Sequence, residues 1–184
     1  MSDAENWDRV LEGDAQAFAM CFDRHRDPVF RSLLRAVDQT HEAEDLTATV
    51  FLELWRRRQA VRLVDGSLLP WLLATATNIG RNATRARRRY RSFLARLPPP
   101  EASPDTSGMV DRRLDAERAA RAIRTRLLGL SLKDQQLIEL VSLDGVTLSA
   151  AAEALGLKES AAKMRLARLR TRVGDMEERH ERAV

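Results

Sequence analysis

Apolar residues recur along this chain at steps of three and four, the period of a helix with one buried side. Trp7, Val10, Leu11, Ala17, Phe18, Cys21 and Phe22 keep that step, and Gly13-Asp14 interrupts it with a break or kink. Val29, Phe30, Leu33, Leu34 and Val37 carry the pattern on after Pro28. In HEAEDLTATVFLELWRRR, residues 41–58, the apolar side is Ala43, Leu46, Val50 and Leu54 with Phe51 and Trp55. Asp65-Gly66-Ser67 marks a turn. Pro70 then suits the first turn of a new helix, where a missing N–H costs nothing. That helix is predicted to run from Trp71 into RNATRARRRYR, residues 81–91, with Trp71, Leu72, Ala76, Ile79 and Ala83 toward a core. Its opposite side carries Asn78, Arg81, Asn82, Arg85 and Arg89, aligned at three- and four-residue steps.

The pattern stops at LPPPEASPDTSG, residues 97–108, where four prolines with Ser, Asp and Gly make an extended linker without a core of its own. Leu114, Ala120, Ile123, Leu127 and Leu130 restore a helical stripe, and shorter segments follow. Nothing alternates as a strand would, and no internal repeat is visible. The expected fold is all-α, with two small helical domains at 1–95 and 113–178 joined by a flexible proline-rich linker at 96–112.

Within the second domain, DGVTLSAAAEALGLKESAAKMRLARLRTRV, residues 144–173, has the form of a helix-turn-helix. Thr147 caps a helix containing Ala151, Ala152 and Leu155; Gly156 supplies the turn and Leu157 anchors it. Ser160 begins a second helix whose Ala162, Leu166 and Leu169 point inward. Its outer sides show Lys163, Met164, Arg165, Ala167, Arg168 and Arg170. In such a motif the second helix enters the major groove. Lys163 and Arg168 suit guanine or phosphate, Met164 and Ala167 suit thymine methyls, and the later Arg170 and Arg172 suit phosphate. A basic amphipathic helix in an ordinary bundle is the competing reading.

Composition narrows the classes. The 184 residues are 44% hydrophobic and 32% charged, as in globular proteins. No apolar run approaches the roughly 20 residues of a membrane span, so no membrane insertion is expected. MSDAENWDRV lacks a signal peptide's basic start and apolar middle, and the lone Cys21 has no disulfide partner within the chain. A cytoplasmic protein fits. The net charge of +4 hides an asymmetry: residues 1–80 hold 9 Lys/Arg against 13 Asp/Glu, and residues 81–184 hold 22 against 14. An anionic partner for the back half follows, and a different partner for the front. The arginine run meets phosphate most naturally, with a steep salt dependence. Glu42, Glu44, Asp45 and Glu53 repel DNA and fit either a protein partner or solvent. His25, His41 and His180 are scattered without ligand-spaced partners, and no nucleotide-binding or nucleophile motif occurs. No enzyme and no cofactor is expected.

Taken in order, GDAQAF (13–18), AEDLTATVFLELW (43–55), PWLLATATNIGRN (70–82) and the helix-turn-helix of 144–173 resemble the extracytoplasmic-function (ECF) sigma factors of the sigma-70 family, over almost the whole chain. The resemblance implies a transcription initiation factor that binds core RNA polymerase, recognises promoter minus-thirty-five and minus-ten elements, and promotes strand opening. It implies that Asp45, Leu46 and Thr49 meet the polymerase. It implies that the turn Val64–Leu68, with Asp65, Gly66 and Ser67, captures a flipped base. Asn78, Arg81, Asn82, Arg85, Arg88 and Arg89 would then lie along the minus-ten region. Ser160, Lys163, Met164, Ala167 and Arg168 would read the minus-thirty-five element. An anti-sigma partner is common in the family. Ala48-Thr49 stands where the family often has Gln-Glu, a departure that bears on the details of core polymerase contact; ATN (76–78) where it has ARN, Met164 for a serine and Ala162 for a valine bear on which promoter is read. A free-standing helix-turn-helix DNA-binding regulator, or a helical adaptor with no nucleic-acid role, are the alternatives.

Overall fold

The computed structural model describes residues 2–37, 39–96 and 130–181, with side chains as far as Thr171. Nearly all of the expected linker, and the stripe Leu114, Ala120, Ile123 and Leu127, lie outside the described residues. The described residues are helical with no strand; an isolated antiparallel bridge joins Val64 to Ser67.

Local capping chemistry sets the helix starts. Ser2 accepts from the Glu5 N–H while the Glu5 carboxylate accepts from the Ser2 N–H, a capping box opening α1 (Asp3–Leu11). Gly13, at φ +96°, makes the expected break. Asp14 then caps α2 (Ala15–Ala36) by accepting from the Gln16 and Ala17 N–H groups. Pro28 stands inside α2 without ending it. α3 (Thr40–Arg57) runs into a 3-10 turn at Arg58–Ala60, and α4 (Leu69–Leu94) starts with Pro70 in its first turn.

These four helices enclose one core. Trp7, Val10, Ala17, Cys21, Val29, Leu33, Val50, Phe51, Leu54, Leu72 and Ala76 are buried in it, as their spacing predicts. Phe18 meets Trp55 and Phe22 meets Phe51 edge-on, at 5.2 and 4.7 Å between ring centres. Gly80 lets α4 touch α2: a Cβ there would lie 2.9 Å from that of Ala36. Burial pushes the Cys21 thiol up to about 11, leaving it protonated and inert at neutral pH.

The C-terminal bundle comprises α5 (Leu132–Ile138), which continues as a π turn over Glu139–Leu143, then α6 (Leu148–Ala154) and α7 (Glu159–Glu181). Ser131 caps α5 and Thr147 caps α6. Gly156, at φ +62°, ends α6, and the Leu157 N–H donates to the Ala152 carbonyl at 2.8 Å. The core of this bundle holds Leu137, Leu140, Ala151, Ala152, Leu155, Ala162 and Leu166, together with Leu73 and Ala74 from α4. One helix therefore serves two cores, its Leu72/Ala76 side facing the first and its Leu73/Ala74 side the second.

Polar contacts line the seam. Gln136 Nε2 donates to the Ala74 carbonyl at 2.8 Å, and Arg35 pairs with Asp144. Thr77 Oγ1 lies 2.6 Å from Glu139 Oε2 and 3.0 Å from the Leu73 carbonyl. A hydroxyl has one proton, so both contacts are satisfied when Glu139 is itself protonated and donates. Burial raises the Glu139 carboxyl above its usual range against the opposing Thr77 bond and Arg35 charge, consistent with that state.

Candidate nucleic-acid interface

α4 leaves its core halfway along and becomes a cationic rod. Asn82, Arg85, Arg88 and Arg89 are exposed, and Asn78 is half-buried. Arg85, Arg88 and Arg89 line an open groove with Ser92, Phe93 and Arg96. Tyr90 and Phe93 stand exposed between the charges, flat π faces that the helical period did not single out. Arg87 turns back to pair with Glu42 of α3.

Arg81 departs from its expected place on the solvated side. It is 6% exposed, and its NH2 group donates to the Leu130 carbonyl at 2.9 Å. Burial, with Arg85 adding to it, pulls its guanidinium below the usual range. Its position one turn beyond Thr77 on the Leu73/Ala74 side explains the burial, because the C-terminal bundle covers that side. Asn78, Arg81, Asn82, Arg85 and Arg89 are thus not one continuous solvent-facing row.

At the other end of the first bundle, Val64 and Ser67 exchange backbone hydrogen bonds at 3.0 Å around Asp65 and Gly66. Asp65 has φ +51° and Gly66 φ +71°, the pair of left-handed residues that an Asp-Gly tight turn takes. Val64 and Leu68 are buried and the two tip residues are exposed, so the tip is held from both sides. Asp3 reaches across from α1: its carboxylate accepts from the Leu68 N–H at 2.9 Å, and the Ser67 hydroxyl is 3.3 Å away. His25 Nε2 at 2.7 Å and Arg24 NH1 at 2.6 Å meet the same carboxylate. His25, without a partner in the linear sequence, therefore has a buried one in space; no local spacing brings residues 3, 25 and 68 together.

On α3, Asp45 and Thr49 are exposed and Leu46 is half-buried against the first core. Leu52, 56% exposed, extends this surface with an apolar side chain. The acidic set is smaller than its residue count suggests, because Glu42 pairs with Arg87 and Glu53 with Arg57. Glu44 and Asp45 remain exposed carboxylates there.

In the C-terminal bundle, Ser160, Lys163, Met164, Ala167 and Arg168 are all exposed on α7, with Met164 at 62%. Arg165 does not join them; its guanidinium pairs with Asp134 at 2.7 Å and ties α7 to α5. Ala162, Leu166 and Leu169 fill the core side as expected. The side chain of Arg172 lies outside the described residues. Among the described residues no set of three His, Cys, Asp or Glu is placed to hold a metal ion, and no helix is long and apolar enough to cross a membrane.

Residues 21–90, which span most of α2 through α4, match the family model for Sigma-70 region 2. ECF RNA polymerase sigma factor SigK of Mycolicibacterium vanbaalenii is 27% identical over 159 residues, 86% of this chain and 80% of that protein. Two solved structures share the fold. CnrH, solved in complex with the cytosolic domain of CnrY, has a TM-score of 0.63 at 20% identity over 96% of this chain and 97% of its own. The sigma factor RpoE from Bartonella quintana, solved with the anti-sigma factor NepR, has a TM-score of 0.53 at 18% identity over 89% and 98%. Residues 21–90 are thus similar to Sigma-70 region 2, and most of the chain is similar to an ECF RNA polymerase sigma factor.

Proposed function

We propose that the protein is a sigma factor that binds core RNA polymerase, recognises promoter minus-thirty-five and minus-ten elements, and promotes strand opening, with no catalytic chemistry of its own. The observation that carries this reading is the pair of exposed cationic surfaces on separate bundles, Asn82–Arg89 on α4 and Lys163–Arg168 on α7. Two surfaces suit two stretches of one DNA. In the first bundle, Arg85, Arg88 and Arg89 hold backbone phosphates while the Asp65-Gly66-Ser67 turn takes an unstacked base. Flipping a base costs a few kcal/mol, which a pocket and several arginine–phosphate contacts offset. In the second, Lys163 and Arg168 donate to bases or phosphate, Met164 and Ala167 offer apolar contact, and Ser160 stands at the start of the helix. Tethering on one polymerase raises the effective concentration of each bundle at its own element.

Asp45, Leu46 and Thr49, together with Leu52, form the surface proposed for the polymerase, an apolar centre rimmed by acid. Because Arg81 lies beneath the C-terminal bundle, its use on DNA, like that of the whole Asn78–Arg89 row, requires the bundles to part. An anti-sigma partner that holds them together is the natural regulator, and the cytoplasm is where the proposed partners meet. Run-off transcription with purified core polymerase over a promoter library tests the reading. Initiation confined to promoters carrying both elements is expected; duplex binding of equal tightness and selectivity without polymerase would favour the free-standing regulator.

A further inference from the structure

Asp3 sits in the first turn of α1, where an acid usually serves the helix end. Here that work is done by Ser2 and Glu5, whose side chains complete the capping box. The Asp3 carboxylate turns inward instead and is 5% exposed. One oxygen accepts from the Leu68 N–H at 2.9 Å, stands 2.7 Å from His25 Nε2, and is 3.3 Å from Ser67 Oγ; the other accepts from Arg24 at 2.6 Å. Ser67 Oγ in turn accepts from the Leu69 N–H at 3.2 Å, at the start of α4. The connection between the 3-10 turn and α4 has no helix of its own. Its place in the molecule rests on the burial of Val61, Val64 and Leu68, on Leu63 packed against the first core, on the Val61 N–H bond to the Arg57 carbonyl and on this carboxylate.

We propose that Asp3, oriented by Arg24 and His25, is a positioning residue for the tight turn at 64–68, setting where Asp65 and Gly66 meet an unstacked promoter base, so that base selectivity at that position depends on α1. This rests on the proposed role of the turn as the base-capturing loop. The carboxylate supports it chemically. Burial alone would push Asp3 up, but the bonds from His25, the Leu68 N–H and Arg24 outweigh it and hold the group ionised, well below the usual carboxylate range. An ionised oxygen binds a backbone N–H more strongly and more directionally than a neutral amide does. Asp3→Asn keeps the size but removes the charge that Arg24 and the turn share.

The experiment uses the full chain with core polymerase, transcribing a library randomised through both promoter elements, for wild type, Asp3→Asn and Arg24→Gln. The expected result for Asp3→Asn is a loss of about tenfold in discrimination at one position of the minus-ten element, the scale of one well-placed hydrogen bond, with minus-thirty-five preferences and polymerase affinity unchanged. Arg24→Gln leaves the Leu68 bond in place and should shift the same position in the same direction, by less. It also covers the case in which Asp3→Asn fails to fold. A uniform fall in activity with every base preference intact would mean that Asp3 only stabilises the bundle, and would overturn the proposal, as would a wild-type profile from both variants. Minus-ten selectivity left unaltered by Asp65→Ala and Gly66→Ala, with Asp3 intact, would remove the base-capturing role itself, and the Asp3 proposal with it. Selectivity that responds to the turn but not to Asp3 removes only the latter.

Discussion

α4 and α7 both carry arginines at helical spacing, yet they present them in opposite ways. Among the described side chains of α7 the core side is narrow, Ala162, Leu166 and Leu169, and only Arg165 is drawn back to a carboxylate. Lys163 and Arg168 are left in water. On α4 the first half is apolar nearly all round and takes a partner on two sides, so the buried surface reaches as far as Arg81. The cations beyond it, Arg85, Arg88 and Arg89, are exposed. The comparison teaches that a basic helix advertises its charge by sequence, but the width of its apolar side decides how much of that charge reaches solvent. It also separates two kinds of cationic surface. α7 is available in the structure as it stands, whereas α4 offers its distal half now and its full row only after the bundles part.

The largest effect should come from the distal end of α4. Replacing Arg85, Arg88 and Arg89 together by alanine should lower promoter affinity and reduce the slope of log affinity on log salt by about 2–3, roughly 0.9 for each phosphate no longer neutralised. A salt slope unchanged within error would show that these arginines do not meet phosphate. Next, changing Lys163 and Arg168 to alanine should erase discrimination at the minus-thirty-five element by about 10- to 100-fold, at about 1–3 kcal/mol per specific base pairing. Minus-ten preferences should survive, and a library profile in which both elements change together would break the distinction between the two helices. A smaller change is expected from Asp45→Ala: holoenzyme affinity should fall about fivefold to tenfold, as for a moderately important interface residue. Equal affinity in a pull-down titration against core polymerase would take α3 out of that interface.

The smallest effect sharpens the comparison from the docking side. Glu139 is raised by burial, and it faces Thr77 across the seam, with Gln135, Arg35 and Asp144 around it. The docked state keeps a proton that the separated state releases. Docking is therefore strongest at or below the ordinary glutamate range and weakens as pH rises through the raised one. Asp144, also raised by burial against the pull of Arg35, acts in the same direction. Fluorescence transfer between labels on the two bundles should fall with rising pH in the wild type, and Glu139→Gln should flatten most of that response. A response that rises instead would contradict the sign.

Much of this was legible from residue order alone. The cap at Thr147, the break at Gly13, the Asp-Gly turn and the helical stripes of the first bundle and of the helix-turn-helix depend on neighbours a few positions away, and each sits where its spacing puts it. The exposed set on α7 follows from the same periodicity. The second apolar side of α4 was also present in PWLLATAT, where Leu72 and Leu73 point to different sides of the helix, but a reading that assigns one core to each helix leaves Leu73 and Ala74 without a destination.

The chain's order of residues thus determined its helices, its two basic surfaces and the tight turn ahead of α4, because those features arise from hydrogen bonds and side-chain periods within a few residues. Tertiary structure decided which of the marked charges are free to act. Arg81 is covered, Glu42 is taken by Arg87 of α4, and Asp3 is drawn 65 positions along the chain to the turn. The reason is physical: burial and ion pairing depend on what arrives from elsewhere in the chain, and no local period records that arrival.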